Sequence, residues 1–273
     1  MIPQMKELAR RIRKALLISI YNAGSGHPGG SLSATDIMTV LFFYTMKTNP
    51  ENVRDPERDY FILSKGHVCP ALYAVLAARG FIPPEELLSL RKMGTRLQGH
   101  PHWKKLECLE LSCGSLGQGL SVANGIAIGL KMDKKPNRVY CMTGDGELQE
   151  GQMWEAIMTA SHYHLDNLCA IVDYNNLQID GYVEDVMSIA PLDEKFRAFN
   201  WNVIEADGHD IEDLMDVFDR ARVFKGRPTV LLCSTIKGKG VSYMENEAGW
   251  HGKAPSKELT IQALNELDAL EIR

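Results

Sequence analysis

Two short polar segments, Gly144-Asp145-Gly146 and Asn175-Asn176, each follow an apolar run that is typical of a buried strand. Asp145 and Asn175 are 30 residues apart, the length of one strand–helix–strand unit, so their loops should lie side by side. An Asp carboxylate, an Asn amide oxygen and a nearby backbone carbonyl would supply half of an octahedral Mg²⁺ site, and diphosphate oxygens and water would complete it. Each segment alone is more typical of an ordinary turn, but together they predict a metal–diphosphate site.

Cations and glycines follow two further predicted strands. Lys65-Gly66-His67 comes after residues 60–64, and Lys237-Gly238-Lys239-Gly240 comes after residues 229–234. Ligands of parallel sheets bind beyond the carboxyl ends of the strands, so these segments should share one edge with Asp145. Glycine lets the backbone approach a phosphate without an intervening side chain. The set therefore indicates a site for a diphosphate and a hard metal ion.

Other nucleotide, nucleophile and zinc motifs are absent from the sequence. The glycines at 114, 117 and 119 lack the GxGxxG order of dinucleotide folds, and residues 237–240 lack the earlier glycine of a P-loop. No Ser or Cys stands in a nucleophile elbow. The six cysteines form no CxxC pair, and Cys141, Cys169 and Cys233 stand in apolar runs. We expect cysteines that pack in the core, in a protein of the reducing cytoplasm.

Four of the eight histidines stand in or beside a glycine turn at the end of a predicted element: His27, His67, His100 and His251. Imidazole titrates near neutral pH, and it can donate hydrogen bonds to hydroxyl groups and to a developing oxyanion. We expect the others to be surface or structural residues: His102, His162, His164 and His209. Among these, His164 should pack on the apolar face of its helix.

Strand and helix patterns alternate along the chain. The predicted strands are residues 60–64, 139–143, 168–173, 202–206 and 229–234. The predicted helices are an N-terminal helix that ends at the glycine cluster 24–30, then residues 33–46, 69–78, 119–131, 153–164 and 211–224, and a last amphipathic helix with Ile261, Leu264, Leu267 and Leu270. Continuously apolar strands that alternate with helices predict a mostly parallel sheet covered on both faces. We expect a single doubly wound α/β domain over residues 1–273.

Composition excludes several classes of protein. The 273 residues are 45% hydrophobic and 24% charged, which is ordinary for a globular protein, so disorder is excluded. The formal net charge is −5 and no basic run occurs, which argues against a nucleic-acid partner. No apolar stretch approaches the roughly 20 residues that a membrane-spanning helix needs. We therefore expect neither a nucleic-acid nor a membrane partner.

The spacing of Gly144-Asp145-Gly146 and Asn175-Asn176 resembles the fingerprint of thiamine diphosphate enzymes, and within that superfamily the chain resembles transketolase. The supporting segments occur in family order: residues 24–30, 64–67, 99–101, 114–119, 144–151, 179–181 and 251–252. The resemblance implies the diphosphate-binding fold and transfer of a two-carbon ketol unit from a ketose phosphate, or an analogue, to an aldose. It implies thiamine diphosphate and Mg²⁺ as cofactors, with Ca²⁺ or Mn²⁺ as substitutes for Mg²⁺.

The resemblance also implies roles for individual residues. The implied metal ligands are Asp145, Asn175 and the carbonyl of Leu177. The implied cofactor contacts are His67, Gly114, Ser115, Leu116, Gly146, Glu147, Asn175, Ile179 and His251. The implied catalytic residues are His67 and His251 near the diphosphate and the reacting carbons, His27 and His100 in the substrate channel, and Glu150 at a dimer interface that couples two active sites.

The match covers only the N-terminal, diphosphate-binding part of the family. It implies the N-terminal subunit of a split transketolase, with the pyrimidine-binding and C-terminal domains on a partner chain and two copies of each in a heterotetramer. Ser115 and Gln98 stand where the family commonly has proline, which leaves the shape of the channel open. A pentose phosphate, a branched sugar phosphate and a sulfonated sugar all remain open as substrates. The alternatives are one chain of a 2-oxo-acid decarboxylating enzyme and a non-catalytic cofactor-binding half.

Overall fold

The structure is a computed structural model that describes residues 1–269. Its strands are β1 (Tyr60–Leu63), β2 (Val139–Gly144), β3 (Leu168–Tyr174), β4 (Leu177–Gln178), β5 (Gly181–Tyr182), β6 (Asn202–Asp207) and β7 (Thr229–Ser234). Its α-helices are α1 (Ile2–Ala23), α2 (Pro28–Ser33), α3 (Thr35–Val40), α4 (Cys69–Arg79), α5 (Gly119–Met132), α6 (Gly151–His162), α7 (Val183–Met187), α8 (Leu192–Ala198), α9 (Ile211–Val223) and α10 (Lys257–Ala269). Each predicted strand is present, with ends within one residue of the prediction.

Five strands form one parallel sheet in the order β1-β2-β3-β7-β6. Strands β4 and β5 form a separate antiparallel hairpin. In the register of the large sheet, Gly144 pairs with Asp173, and Tyr174 pairs with Ser234. The carboxyl ends of β2, β3 and β7 are therefore level, and the loops that follow them leave the sheet at the same edge.

The sheet is covered on both faces, as predicted. Along β2, Tyr140 and Met142 join one apolar cluster, which includes residues of α1, α4 and α9. Val139 and Cys141 join a second cluster, which includes residues of α5 and α6. Side chains alternate between these clusters because successive residues of a strand point to opposite faces. The predicted doubly wound α/β fold is confirmed.

Two details of the helix prediction were wrong. The helical region predicted from Ser33 begins earlier, at Pro28, because proline suits the first turn of a helix. Helix α6 ends at His162, so His164 does not pack on its apolar face; this histidine is exposed, with a φ of 48°. The last helix is present, but Leu270 lies outside the described residues.

Two expectations about the chain as a whole can be compared with residues 1–269. None of the helices in this range has both the length and the apolarity needed to cross a membrane. The cysteines are all unpaired, and four of them are buried: Cys69, Cys141, Cys169 and Cys233. They are core residues, as the apolar runs around three of them predict.

A buried ion pair joins α1 to α3 beneath the strand ends. The Arg13 guanidinium donates to both carboxylate oxygens of Asp36, at 2.8 and 2.6 Å. His209 Nδ1 donates to Asp36 at 2.8 Å, while the Ile236 backbone N–H donates to His209 Nε2. Both ring nitrogens of His209 are thus satisfied within the protein, which confirms its structural role. Burial opposes the Asp36 charge, but Arg13 and His209 lower the pKa of Asp36 to about 2.

We predict that Asp36→Asn destabilises the fold by about 3–5 kcal/mol, because it leaves the Arg13 charge buried without a partner. The pKa of Asp36 is lower in the folded chain than the value of about 4 expected on unfolding, so its contribution is complete above about pH 4 and is lost toward pH 2. Urea unfolding measures both effects. The matched control is Asp216→Asn in an exposed pair with Arg220, which should change stability by less than about 0.5 kcal/mol. Equal losses in the two variants would contradict the assignment.

Candidate active site

The carboxyl ends of β2, β3 and β7 surround a cavity of about 340 Å³. Strands β1, β2 and β3 are added to the sheet in one direction. The next strand, β6, forms the opposite edge and β7 lies between β6 and β3, so the order in which strands are added reverses between β3 and β7. In open α/β sheets, ligands bind in the crevice at such a reversal. The lining residues are Gly30, Lys65, His67, Leu116, Gly144, Asp145, Gly146, Glu147, Gln149, Glu150, Asn175, Leu177, Gln178, Ile179, Lys237 and His251.

Asp145 is buried at the end of β2. The backbone N–H of Gly146 donates to Oδ1 at 2.7 Å, and the backbone N–H of Asn176 donates to Oδ2. Burial and the nearby negative charge of Asp173 raise the pKa of Asp145 to about 6. A cation bound here would remove that electrostatic cost, so the carboxylate suits a metal ligand.

The two other implied metal ligands lie in the same cavity. Asn175 Oδ1 accepts a hydrogen bond from the Leu177 N–H at 3.1 Å, and the Leu177 carbonyl accepts one from Lys237 Nζ at 2.7 Å. The predicted carbonyl ligand therefore already faces a cationic group. Within residues 1–269, no three His, Cys, Asp or Glu side chains gather into a metal-binding group. The predicted site is of another kind, with one carboxylate, an amide oxygen and a carbonyl oxygen, which fits a hard cation that also takes phosphate oxygens.

Two buried lysines add positive charge to the cavity. Lys65 Nζ forms an ion pair with Asp173, which also accepts hydrogen bonds from Ser33 at 2.6 Å and from Thr235. Lys237 is 2% exposed, and burial lowers its pKa to about 8. The sequence indicates cations after β1 and β7, but it does not single out Lys65, Lys237 or Asp173 as site residues. The sequence signal that could have identified them is their position at a strand end. Lys65 and Lys237 lie within three residues after β1 and β7, and Asp173 is the second-last residue of β3.

Glu147 forms part of the rigid floor of the cavity. Its carboxylate accepts hydrogen bonds from Ser64 Oγ at 2.5 Å and from the N–H groups of Gly117 and Gly144 at 2.9 and 3.1 Å. A Cβ at Gly119 would lie 2.4 Å from Ser64 Oγ, so this helix start needs glycine for its close approach to β1. The side chain of Glu147 is thus engaged within the protein, and its role as a cofactor contact stays a prediction.

The four predicted site histidines form one cluster beside the cavity. The His27 ring centroid lies 5.1 Å from that of His67, 5.5 Å from that of His251 and 6.4 Å from that of His100. Burial, together with the positive charge of nearby cations, lowers the pKa of His27 to about 4 and that of His251 to about 3. Burial also holds the pKa of His67 well below its ordinary value and lowers that of His100. These imidazoles are therefore neutral at pH 7.

The remaining predicted residues lie at the rim. Gly114 and Ser115 are exposed and do not line the cavity, although a Cβ at Gly114 would lie 3.7 Å from the His100 ring. Glu150 is exposed at the start of α6, and Ile179 is 64% exposed. An apolar side chain so exposed beside a polar cavity is available to a bound molecule or to another chain.

Comparisons with known proteins agree with this geometry. Residues 4–268 match the family model described as "Transketolase, thiamine diphosphate binding domain". Solved structures of transketolase from Campylobacter jejuni and Leishmania mexicana both superpose with a TM-score of 0.92, at 30% and 28% identity over 98% of this chain. The match covers 44% and 42% of those chains. This chain belongs to the transketolase family and contains its thiamine diphosphate-binding domain.

Curated relatives fall into two length classes. The chain is 42% identical to the 6-deoxy-6-sulfo-D-fructose transketolase subunit SqwG of Clostridium sp. (strain MSTE9), over 97% of this chain and 96% of that relative. It is 42% identical to one of the named subunits of an apulose-4-phosphate transketolase from Phocaeicola vulgatus, over 93% of this chain and 90% of that relative. It is 44% identical to human transketolase, but covers only 42% of that protein. The resemblance to transketolase is confirmed.

We predict that the histidine cluster contributes a loss of stability as the pH falls from about 6.5 toward 4. The pKa values of His27, His67 and His251 are lower in the folded chain than the ordinary value of 6.5, so the unfolded chain binds protons first. Urea unfolding at about pH 7.5 and about pH 5 measures the decline. It should be smaller in His27→Gln and unchanged in His162→Gln, an exposed histidine of α6. A decline that is the same in both variants would contradict the prediction.

Proposed function

We propose that this chain is the diphosphate-binding subunit of a transketolase that depends on thiamine diphosphate and Mg²⁺. It would transfer a two-carbon ketol unit from a ketose phosphate, or an analogue, to an aldose. The observation that carries the proposal is one cavity in which Asp145, Asn175 and the Leu177 carbonyl face Lys237 beside the histidine cluster. We treat residues 1–273 as one diphosphate-binding domain of a cytoplasmic transferase.

Different residues of the cavity would bind the metal ion and the diphosphate of the cofactor. Asp145, Asn175 and the Leu177 carbonyl would hold the metal ion, and Ca²⁺ or Mn²⁺ could replace Mg²⁺. Lys237 would supply positive charge to the diphosphate, and the backbone at Gly146, which has no side chain in the way, would lie against it. When bound, thiamine diphosphate supplies the carbanion that accepts the two-carbon fragment. The protein supplies binding, orientation and exclusion of water.

The neutral histidines act on the substrate. A neutral imidazole carries one donor and one acceptor nitrogen, so it can bind a sugar hydroxyl and also accept or return a proton. His27 and His100 line the substrate channel, and His67 and His251 lie nearer the diphosphate end. Such polar groups suit a polyhydroxylated substrate better than a small 2-oxo acid, which is the runner-up substrate class.

The names of relatives support a substrate class and a partner. SqwG is named for a sulfonated fructose, and the Phocaeicola vulgatus relative for apulose-4-phosphate, so we propose a sugar phosphate or a sugar sulfonate as donor. Both relatives are named as subunits, which supports a partner chain with the pyrimidine-binding and C-terminal domains. We propose two copies of each chain, with Glu150 and the exposed Ile179 at the interface.

Asp145→Ala is expected to abolish Mg²⁺-dependent binding of thiamine diphosphate, because the diphosphate would face too little positive charge. The fold should survive, since the removed carboxylate is one whose charge burial disfavours. Calorimetry with Mg²⁺ and thiamine diphosphate measures the loss, and circular dichroism checks the fold. The control is Asp133→Ala, an exposed residue after α5. Near wild-type affinity in Asp145→Ala would remove the metal assignment.

His27→Ala and His100→Ala are expected to lower turnover about 10²–10³-fold while changing cofactor affinity much less. Their proposed partners are substrate hydroxyls and reacting oxygens, which a cofactor-binding assay does not sense. Steady-state kinetics of the two-chain enzyme and calorimetry together separate the effects, with His162→Ala as the matched control. Full activity in both variants would leave these histidines as structural turn residues.

The purified chain is expected to be inactive alone and active with its partner. In the family, the pyrimidine-binding domain supplies the carboxylate that would contact the aminopyrimidine of the cofactor, and that domain would lie on the partner chain. A ketol-transfer assay and a mass measurement, with and without the co-encoded partner, test this expectation. Turnover by this chain alone would overturn the split-subunit proposal. Turnover of a 2-oxo acid instead of a ketose would favour the runner-up, and cofactor binding without any turnover would favour a non-catalytic half.

A further inference from the structure

Arg91 lies in a loop whose backbone is unusual. Its φ is 58°, in the left-handed region that residues other than glycine rarely adopt, and its N–H donates to the Leu97 carbonyl at 2.9 Å. Such a conformation persists only where the surroundings hold it in place, and it is concentrated at functional sites. The contacts of the Arg91 side chain show what holds this conformation in place.

The Arg91 guanidinium connects the two turns that carry the proposed substrate histidines. Nη1 donates to Ser25 Oγ at 2.8 Å, and Nη2 donates to His27 Nδ1 and to the Gly99 carbonyl, both at 3.4 Å. A Cβ at residue 99 would lie 2.9 Å from Arg91 Nε, so the glycine at this position lets the guanidinium pack closely against the backbone. His100 follows directly, so one side chain fixes both turns.

The chemistry of this contact determines which nitrogen of His27 carries the proton. A guanidinium has donors only and stays charged, so His27 Nδ1 must be the acceptor. The proton of the neutral ring then resides on Nε2, which lies 3.5 Å from where a Cβ at Gly252 would stand, beside His251. His27 thus presents an N–H donor toward the histidine cluster.

The same arrangement occurs on the facing histidine. Lys237 Nζ lies 3.0 Å from His251 Nδ1, so an ammonium donates to the corresponding nitrogen of that ring. The His27 and His251 rings stand edge to face, with centroids 5.5 Å apart. On each of these two neighbouring imidazoles, a cation donates to Nδ1 and so favours the tautomer with the proton on Nε2.

We propose that Arg91 is a positioning residue that fixes the tautomer of His27 with the proton on Nε2 and aligns it with His100. The part of this inference that concerns substrate rests on the proposed function, since the Nε2–H would meet a substrate oxygen. The tautomer itself does not depend on that function. Arg91 acts through His27 and Gly99 and is not itself a catalytic residue.

The charges around His27 support this role. The titratable and charged groups that face it are Arg91, His100, Lys237, His67 and His251. After burial, Arg91 is the largest cause that lowers the pKa of His27, and it is the charged group that lowers the pKa of His100. Removing the Arg91 charge should therefore raise both pKa values toward the ordinary value and free the His27 ring to exchange tautomers.

The decisive experiment is nitrogen-15 NMR of the chain labelled at its histidine rings, with His27 assigned from the spectrum of His27→Gln. The expected wild-type result at neutral pH is an unprotonated Nδ1 and a protonated Nε2. In Arg91→Met, which keeps the side-chain stem and the same backbone demand, we expect a mixture of tautomers and a higher pKa for His27. Arg91→Lys should retain most of the wild-type signature because it keeps a charged donor.

A protonated Nδ1 in wild-type His27 would overturn the proposal, and so would a tautomer and pKa that Arg91→Met leaves unchanged. If Arg91→Met fails to fold, the wild-type spectrum still tests the tautomer of His27. Ser25→Ala then removes one hydrogen-bond acceptor of the Arg91 guanidinium and tests whether a less firmly held guanidinium changes that tautomer.

Kinetics of the two-chain enzyme give an independent readout. Arg91→Met should lower kcat about 10- to 100-fold, by analogy with the loss of groups that orient metal-ligating histidines. Arg91→Met should also move the acid limb of the pH profile to higher pH, and Arg91→Lys should keep that limb near its wild-type position. An unchanged pH profile in Arg91→Met would contradict the positioning role. A wild-type enzyme with the expected tautomer but no ketol transfer would overturn the proposed function and leave the tautomer inference standing.

Discussion

Two acidic and two basic side chains share the buried ends of β1, β2, β3 and β7. Asp173 is paired with Lys65, while Asp145 and Lys237 line the same cavity and Lys237 donates to the Leu177 carbonyl. Charges in such a poorly solvated place interact strongly, so each group is sensitive to the next. Burial and the negative charge of Asp173 raise the pKa of Asp145, and burial lowers that of Lys237. The acidic groups suit a bound cation and the basic groups suit a bound anion, so the site fits a ligand that brings both.

The level ends of the strands make this arrangement possible. The register places Gly144 beside Asp173 and Tyr174 beside Ser234, so residues that are far apart in the sequence leave the sheet together. The apolar clusters on both faces fix that register, because a slip of one residue would move every side chain to the opposite face. The histidine turns then pack against the same edge, where burial and the nearby cations keep their rings neutral.

Much of this could be predicted from the sequence. Continuous apolar runs identify the parallel strands, and the spacing of Asp145 and Asn175 places two loops side by side. The sequence could not reveal which strand-end cation enters the cavity, because Lys237 and Lys239 look alike until the turn at Gly238 is known. Arg91 carries no local signal either, since its importance comes from contacts with Ser25 and Gly99. The prediction that His164 packs on a helix face was wrong because helical periodicity does not show where a helix ends.

We propose that the ends of β2, β3 and β7 hold a metal ion and a diphosphate together. The most direct test is a crystal structure of the chain with its partner, grown with thiamine diphosphate and Mn²⁺, in which the anomalous signal locates the metal. We expect a Mn²⁺ peak bound by Asp145, Asn175 and the Leu177 carbonyl, with the diphosphate against Lys237. A metal peak elsewhere, or a diphosphate outside this cavity, would contradict it.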